Sequence, residues 1–329
     1  MLDLWTCIGV LAALFALATG IAYHYSRRYF TTRPKAFAAQ AAFAVDHKKG
    51  PSLSIVVPCY NEEERLPPML KQTLEFCKEA VAECVDDAAS RKLGLFSAFE
   101  IVVVDDCSKD GTAKVVEKFQ ADNKDQTIRL VRVNPNRGKG HAVRTGFFEA
   151  TGDYVLMADG DNATQISDVK ALFRSLRQPL TDAARHMRGK VPPVIAVGSR
   201  AHLQDKSMAN RTFVRTVLMK LFHFVVDVTY FIGTRGTICQ TRDTQCGFKL
   251  FDRRVCKPLF LSNRLERFAF DVELLVVANR CRYGVAEVPV RWEEIPGSKV
   301  NLRAMVQMGL ECLLMCFTYG LGIWGVKRG

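Results

Sequence analysis

Four short apolar runs, each ending in a turn rich in charged groups, constrain this 329-residue chain more than any other feature. "LSIVVPCYNEEERLPPML" gives a strand over Leu53–Val57, a proline-containing turn and a helix start. "FEIVVVDDCSKDGTAKVVEKF" repeats the arrangement, with a strand over Glu100–Val104 and a helix from about Thr112. "IRLVRVNPNRGKGHAVRTGFFEATG" supplies a third strand, a basic glycine loop and a third helix, and "DYVLMADGDNAT" a fourth strand. Strands that alternate with helices predict an α/β fold whose mostly parallel sheet is covered on both faces. Ligands of such sheets collect at the carboxyl ends of the strands. Glu62, Asp105, Asp106, Lys139, Asp159 and Asp161 all fall there.

The flanks differ in character. Leu4 to Tyr25 is almost uniformly apolar, about the length that spans a bilayer core. The basic residues follow it (Arg27, Arg28, Arg33, Lys35, Lys48, Lys49), which predicts a signal anchor with the remainder of the chain in the cytosol. "RTFVRTVLMKLFHFVVDVTYFIG" is an unusually apolar helix, fit for a core or for a membrane interface. The last stretch, from Asn301, is apolar but carries Arg303 and Glu311. A central ionised side chain is costly in lipid, so an interfacial helix is expected there rather than a second span. The resulting division is an anchor over 1–28, a linker over 29–50, an α/β domain over 51–300 and a membrane-associated helix over 301–329.

The formal net charge of +12 admits nucleic acid, anionic lipid or phosphorylated substrates as partners. No arginine–aromatic stripe or zinc-finger spacing is present, so nucleic acid is not expected. The 11 cysteines form no C-x-x-C pair, and core thiols in a reducing compartment are the simplest reading.

Asp159 and Asp161, separated only by Gly160, pose the sharpest chemical question. Two like charges so close are costly unless something compensates. Mg²⁺ or Mn²⁺ prefers such oxygens and completes its shell with substrate phosphates, and Gly160 lets a ligand approach the backbone. Solvated turn residues would explain an isolated Asp-Gly-Asp equally well; the other strand tips shift the balance. Tyr60 can stack on a nucleobase, and Glu62 can accept hydrogen bonds from a base or ribose. Asp105 and Asp106 sit where a carboxylate accepts the imino proton of a uracil. "NRGKGHA" offers backbone N–H groups, Arg137 and Lys139 to phosphates at a helix start. It is not a P-loop, and a dinucleotide glycine fingerprint is absent after the first strand.

"SIVVPCYNEEERLP", "EIVVVDDCSKDGT", "NRGKGHAVRTG", "LMADGDNAT", "GSRAHL", "RDTQCGFKLF" and "RFAFDVELL" occur in the order found in the family 2 glycosyltransferases, which the chain resembles from about Leu53 to Lys299. The last three resemble most closely the branch that transfers glucose from UDP-glucose to dolichyl phosphate. The resemblance implies a GT-A fold, Rossmann-like, and an enzyme of N-glycosylation in the endoplasmic reticulum membrane, with membrane lipid as a further partner. It places Pro58, Tyr60 and Glu62 in the nucleotide pocket, Asp106 on the uracil and Lys139 near the diphosphate. Asp159 and Asp161 become the metal and sugar-nucleotide pair. Arg200, with Arg211 or Arg215, would hold the acceptor phosphate, and Gln245 and Lys249 belong to the loop beside it. Asp271 and Glu273 stand where relatives keep an acidic residue for the sugar or for a base. Asp159, Asp161, Asp271 and Arg200 form the implied catalytic set. Some mannose-transferring relatives have a polar metal ligand where this chain has Ala163. A GDP-mannose-dependent transferase and a non-catalytic binding scaffold are the alternative readings.

Overall fold

The computed structural model describes residues 20, 51–86, 95–177, 193–203, 213–297 and 302–326. The described chain runs β1 (Ser52–Cys59), α1 (Leu66–Asp86), β2 (Ala98–Asp105), α2 (Thr112–Asp122), β3 (Ile128–Arg132), α3 (Lys139–Glu149) and β4 (Tyr154–Ala158). It continues through α4 (Val169–Arg177), β5 (Pro193–Ser199), α5 (Phe213–Gly233), β6 (Phe248–Asp252), α6 (Arg253–Ser262), α7 (Phe270–Arg280), β7 (Gly284–Pro289) and α8 (Leu302–Gly320). The sheet order is β3-β2-β1-β4-β6-β5-β7.

β1 lies between β2 and β4 and is parallel to both, with Val56 opposite Val102 on one side and Met157 on the other. The mostly parallel sheet expected from the apolar runs is present. Its exception is β6, which is antiparallel to β4 and β5. Alternate strand residues point to opposite faces and so feed two cores. Val56, Val102, Val104, Val155 and Met157 pack with α3, α6, α7 and α8. Ile55, Val57, Ile101, Val103 and Leu156 pack with α1 and α4. The helices α4 and α6 have no counterpart in the sequence reading; in α6, Pro258 breaks the helical pattern. Asp252 caps it by accepting from the Arg254 amide at 2.9 Å.

The apolar helix α5 serves two surroundings. Val226, Thr229 and Tyr230 are buried, whereas Phe224, Val228, Phe231 and Ile232 are exposed on its other side. α8 packs beside it and divides in the same way: Met308, Glu311, Cys312 and Met315 face inward, and Val306, Leu310 and Leu313 face out. Glu311, whose charge argued against a span, lies on the inner side, 3% exposed, and accepts from Gln307 at 3.1 Å. Among the described residues no helix is long and apolar enough to cross a membrane. Leu4 to Tyr25 lies outside the described residues except for Gly20.

α3 can approach the centre of the sheet only because Gly146 has no side chain. A Cβ there would stand 2.3 Å from Val56 Cγ1 and 2.9 Å from Val104 Cγ2. Gly146→Ala is therefore expected to destabilise the protein by roughly 1–3 kcal/mol through overpacking, read from a shifted midpoint in chemical denaturation.

Candidate active site

The site begins with the tips of β1, β2 and β4, and each tip turns through one residue with left-handed backbone: Asn61 (φ 53°), Cys107 (φ 62°) and Asn162 (φ 62°). Asparagine tolerates that region because its short side chain bonds locally. The residue after Asp-Gly-Asp thus has a conformational role. The first two turns brace each other. The Glu62 amide donates to Thr112 Oγ1 at 2.7 Å, the Asn61 amide to Ser108 Oγ at 2.9 Å, and the Lys109 amide to Asn61 Oδ1 at 2.8 Å. Much of "NEE" and "CSKDGT" is consumed in holding these turns together.

Between and above the tips lies a cavity of about 610 Å³. It is placed where the connections leave β1 toward β2 on one side and β4 lies on the other, the switch point at which open α/β sheets bind ligands. Pro58, Tyr60, Glu62, Asp106, Lys139, Asp159, Gly160, Asp161 and Arg200 all line it. Nine positions chosen from sequence are thus brought to one cavity.

Electrostatics orders them. Lys139 Nζ lies 2.7 Å from Asp159 Oδ1 and 2.8 Å from Oδ2. Burial acts to lower the Lys139 pKa, but the charges of Asp159 and Asp271 outweigh it and hold it above the ordinary value. Asp161 Oδ1 accepts from the Ala163 amide at 3.0 Å. The Asp159 amide donates to Gly247 O at 3.2 Å, which ties the acidic turn to the segment leading into β6. Asp106 accepts the Arg137 amide at 3.0 Å on one oxygen and the Gly138 amide at 2.6 Å on the other. Burial pushes its pKa up to about 6 against the lowering effect of those two bonds. Gly138 adopts φ +109°, and a Cβ there would meet Glu266 O at 2.8 Å.

The first pair of aspartates bears on a metal. Among the described residues there is no group of three His, Cys, Asp or Glu side chains able to hold one. The two carboxylates of Asp159 and Asp161 do reach the cavity, and both offer hard oxygen donors. That set fits a divalent cation that takes its remaining oxygens from a substrate diphosphate and water, and does not fit a permanently resident ion.

Other expected residues stand elsewhere. Asp105, adjacent to Asp106 and pointing the other way, accepts the Ser108 amide at 2.9 Å and does not line the cavity. Arg137 is buried against Glu266, which also takes Arg144 at 3.0 Å, so its guanidinium is a structural tie rather than a phosphate ligand. Lys249 is fully buried and donates to Asp271 at 2.5 Å and to Cys246 O at 2.7 Å. Burial raises the Asp271 pKa, with Lys249 and Lys139 opposing it. Neither Lys249 nor Asp271 reaches the cavity wall, and Gln245 does not line it. Glu273 is buried too, accepting from the Arg264 and Leu265 amides and from the Tyr319 hydroxyl. Arg211 lies outside the described residues, and Arg215 is placed only as part of the backbone of α5.

Beside Arg200, the cavity holds cationic residues that sequence reasoning missed. Arg65 grips both Glu62 oxygens at 2.7 Å and donates to Pro296 O at 3.4 Å. Arg200 is held by Asp243 through its amide, Nε and Nη2 at 2.7–2.9 Å, and lies over the Trp292 ring at 5.5 Å. Burial works against its charge, yet the Asp243 hydrogen bonds leave its pKa raised. Arg267 and Arg303 complete the cationic lining. Only their charge hinted at them in the sequence.

The family model described as glycosyl transferase family 2 matches residues 54–260, the span that carries the tips of β1, β2 and β4. The chain belongs to glycosyltransferase family 2. Human dolichyl-phosphate beta-glucosyltransferase is 40% identical over 279 residues, 84% of this chain and 78% of the relative. The Saccharomyces cerevisiae protein of that name is 36% identical, covering 83% and 76%. Mycobacterium tuberculosis glucosyl-3-phosphoglycerate synthase, solved with Mn²⁺ and UDP-glucose, overlaps at a TM-score of 0.48 with 16% identity, covering 88% of this chain and 86% of that one.

The placement of Lys249 and Asp271 is open to direct measurement. Lys249→Met leaves a buried carboxylate without its cation and should cost about 3–5 kcal/mol of stability, measured by denaturant titration. A variant of unchanged stability would put Lys249 in solvent, against the structure.

Proposed function

We propose that the protein transfers glucose from UDP-glucose to dolichyl phosphate with inversion, giving dolichyl β-D-glucosyl phosphate for N-glycosylation. One observation carries the reading. A single cavity has nucleotide-type groups (Tyr60, Asp106) and the Asp159–Asp161 pair in its wall, together with the first turn of α8, whose outer side is exposed and apolar. A water-soluble sugar nucleotide and a lipid-borne phosphate can meet in such a place. The names and coverage of the relatives support the same donor sugar and acceptor.

The chain's own groups divide the work. Tyr60 stacks on the uracil, and Asp106 uses its remaining lone pairs to accept the imino proton. The amino end of α3 and Lys139 meet the diphosphate. Asp159 and Asp161 would hold a divalent cation, which when bound would supply charge stabilisation for the departing diphosphate. The acceptor is a phosphate monoester whose second pKa is about 6, already a competent nucleophile near neutrality. Its oxygen forms the new bond to the anomeric carbon as the bond to the diphosphate breaks, so the main demand on the protein is alignment. Burial of Asp271 against Lys249 is compatible with a reaction that needs no general base from that position.

Exposed Phe224, Phe231, Leu310 and Leu313 form the face offered to membrane lipid. The apolar segment in 1–28 anchors the chain in the endoplasmic reticulum membrane as a single pass, with residues beyond 28 on the cytosolic side.

The test is chemical identification of the product. Purified protein with dolichyl phosphate, Mg²⁺ or Mn²⁺ and either UDP-glucose or GDP-mannose should yield only the glucosyl lipid, and a chelator should abolish its formation. A mannosyl lipid, or undiminished transfer with chelator, overturns the assignment of donor or of metal respectively.

Asp106 gives a pH dependence with a fixed sign. Above about 6 it is ionised and accepts the imino proton strongly; as pH falls through that value it gains a proton and becomes a weaker, uncharged acceptor. UDP-glucose has no group titrating there. Its affinity in calorimetry should fall as pH is lowered from 7.5 to 5, and Asp106→Asn should bind weakly with a flat profile.

A further inference from the structure

Five cationic side chains line the cavity, and they are not equally available. Arg65 is committed to Glu62, Lys139 to Asp159 and Arg200 to Asp243. Arg267 and Arg303 have no carboxylate within ion-pair distance among the described residues. Arg267 belongs to the nucleotide end. Its Cγ would be 2.9 Å from a Cβ at Gly138, and its charge acts on Asp106. Arg303 occupies a different place, in the first turn of α8.

Helical geometry gives that place its meaning. Residues advance about 100° each around an α-helix. Arg303, Ala304 and Gln307 therefore share the sector that lines the cavity. Val306, Leu310 and Leu313, which are 57%, 62% and 59% exposed, share a second sector roughly 100° away. Met308, Cys312 and Met315 fill the third, buried sector. Arg303 thus stands at the edge where the cavity wall passes into the outward apolar surface. A molecule with an anionic head and an apolar tail, head in the cavity and tail along that surface, carries its charge past this point.

We infer that Arg303 binds the phosphate of the lipid acceptor, and that α8 is therefore part of the acceptor site as well as the face turned to lipid. The inference rests on the proposed acceptor being a polyisoprenyl phosphate. Arg200 is pinned through Nε and Nη2 to Asp243, so its charge is largely offset and only its Nη1 remains to support the same phosphate. Arg303 supplies the uncompensated positive charge that two anionic substrates meeting in one cavity require. It also discriminates: a sugar or protein hydroxyl acceptor would bring nothing for it to hold.

The experiment compares the full-length wild type with Arg303→Gln and Arg303→Lys in detergent, using a short water-soluble isoprenyl monophosphate as acceptor. Removing the membrane from the assay separates a grip on phosphate from an attraction to lipid headgroups. Arg303→Gln should raise the acceptor KM about tenfold or more, the usual scale for one lost charge-assisted hydrogen bond. The KM for UDP-glucose should stay within about twofold of wild type, because the nucleotide contacts lie elsewhere. Arg303→Lys should recover part of the acceptor KM, which a purely structural defect would not allow. Titration of the same monophosphate into UDP-loaded protein should show the same ranking without turnover. An acceptor KM unchanged in Arg303→Gln, or a matching rise in the KM for UDP-glucose, overturns the inference while leaving the transferase reading intact. A wild type that neither binds nor glucosylates the isoprenyl phosphate overturns both.

Discussion

The buried Glu266 carboxylate, shared by Arg137 and Arg144, is the interaction on which the site depends. Arg137 comes from the turn before α3 and Arg144 from α3 itself, whereas Glu266 belongs to the loop between α6 and α7. Its backbone carbonyl also accepts from the His141 amide at 3.0 Å. The cluster thus fastens the second half of the chain to the glycine turn of the first. Such a buried charge cluster adds little net stability over apolar packing, but loss of one member strands the others. Its value here is placement: Arg267 and Phe268 reach the cavity because the residue before them is held.

The strand tips show how one short motif can serve two ends. In "VDDCSKDGT", Asp106 faces the cavity, Asp105 closes its own turn by accepting the Ser108 amide, and Ser108, Asp110 and Thr112 bond to the turn after β1. Asp110 accepts from the Thr112 amide and hydroxyl at 3.0 and 2.5 Å and from the Glu63 amide at 3.2 Å. The functional carboxylate is useful only while its neighbours keep the turn.

The four leading strands, the helices that follow the first three of them and nine cavity residues were legible in the sequence, because apolar runs and charged turns are local signals. What was not legible depends on contacts between distant segments. Lys249 and Asp271 each look like site residues in their own motifs; only the antiparallel course of β6 turns Lys249 onto α7, where the two neutralise each other out of reach of solvent. Arg137 is adjacent to the phosphate-binding turn, yet Glu266 draws its side chain inward. α6 was hidden by Pro258, and Arg65, Arg267 and Arg303 were individually ordinary surface-type residues until the fold brought them together around one space.

The far end of α8 is sewn into the core. Tyr319 donates to Glu273, Arg264 donates to Gly325 O at 2.8 Å, and Trp324 is buried beneath the Arg264 guanidinium. A helix fastened in this way cannot act as a hinged float. On a bilayer, the exposed apolar ridge of α8 and the chamber behind it would rise and sink together, and the protein would act as a depth gauge. On the proposed reading the reacting phosphate would meet the sugar at a fixed height above the lipid surface, set by the girth of one helix, and chain length in the lipid tail would have no bearing on where the chemistry happens.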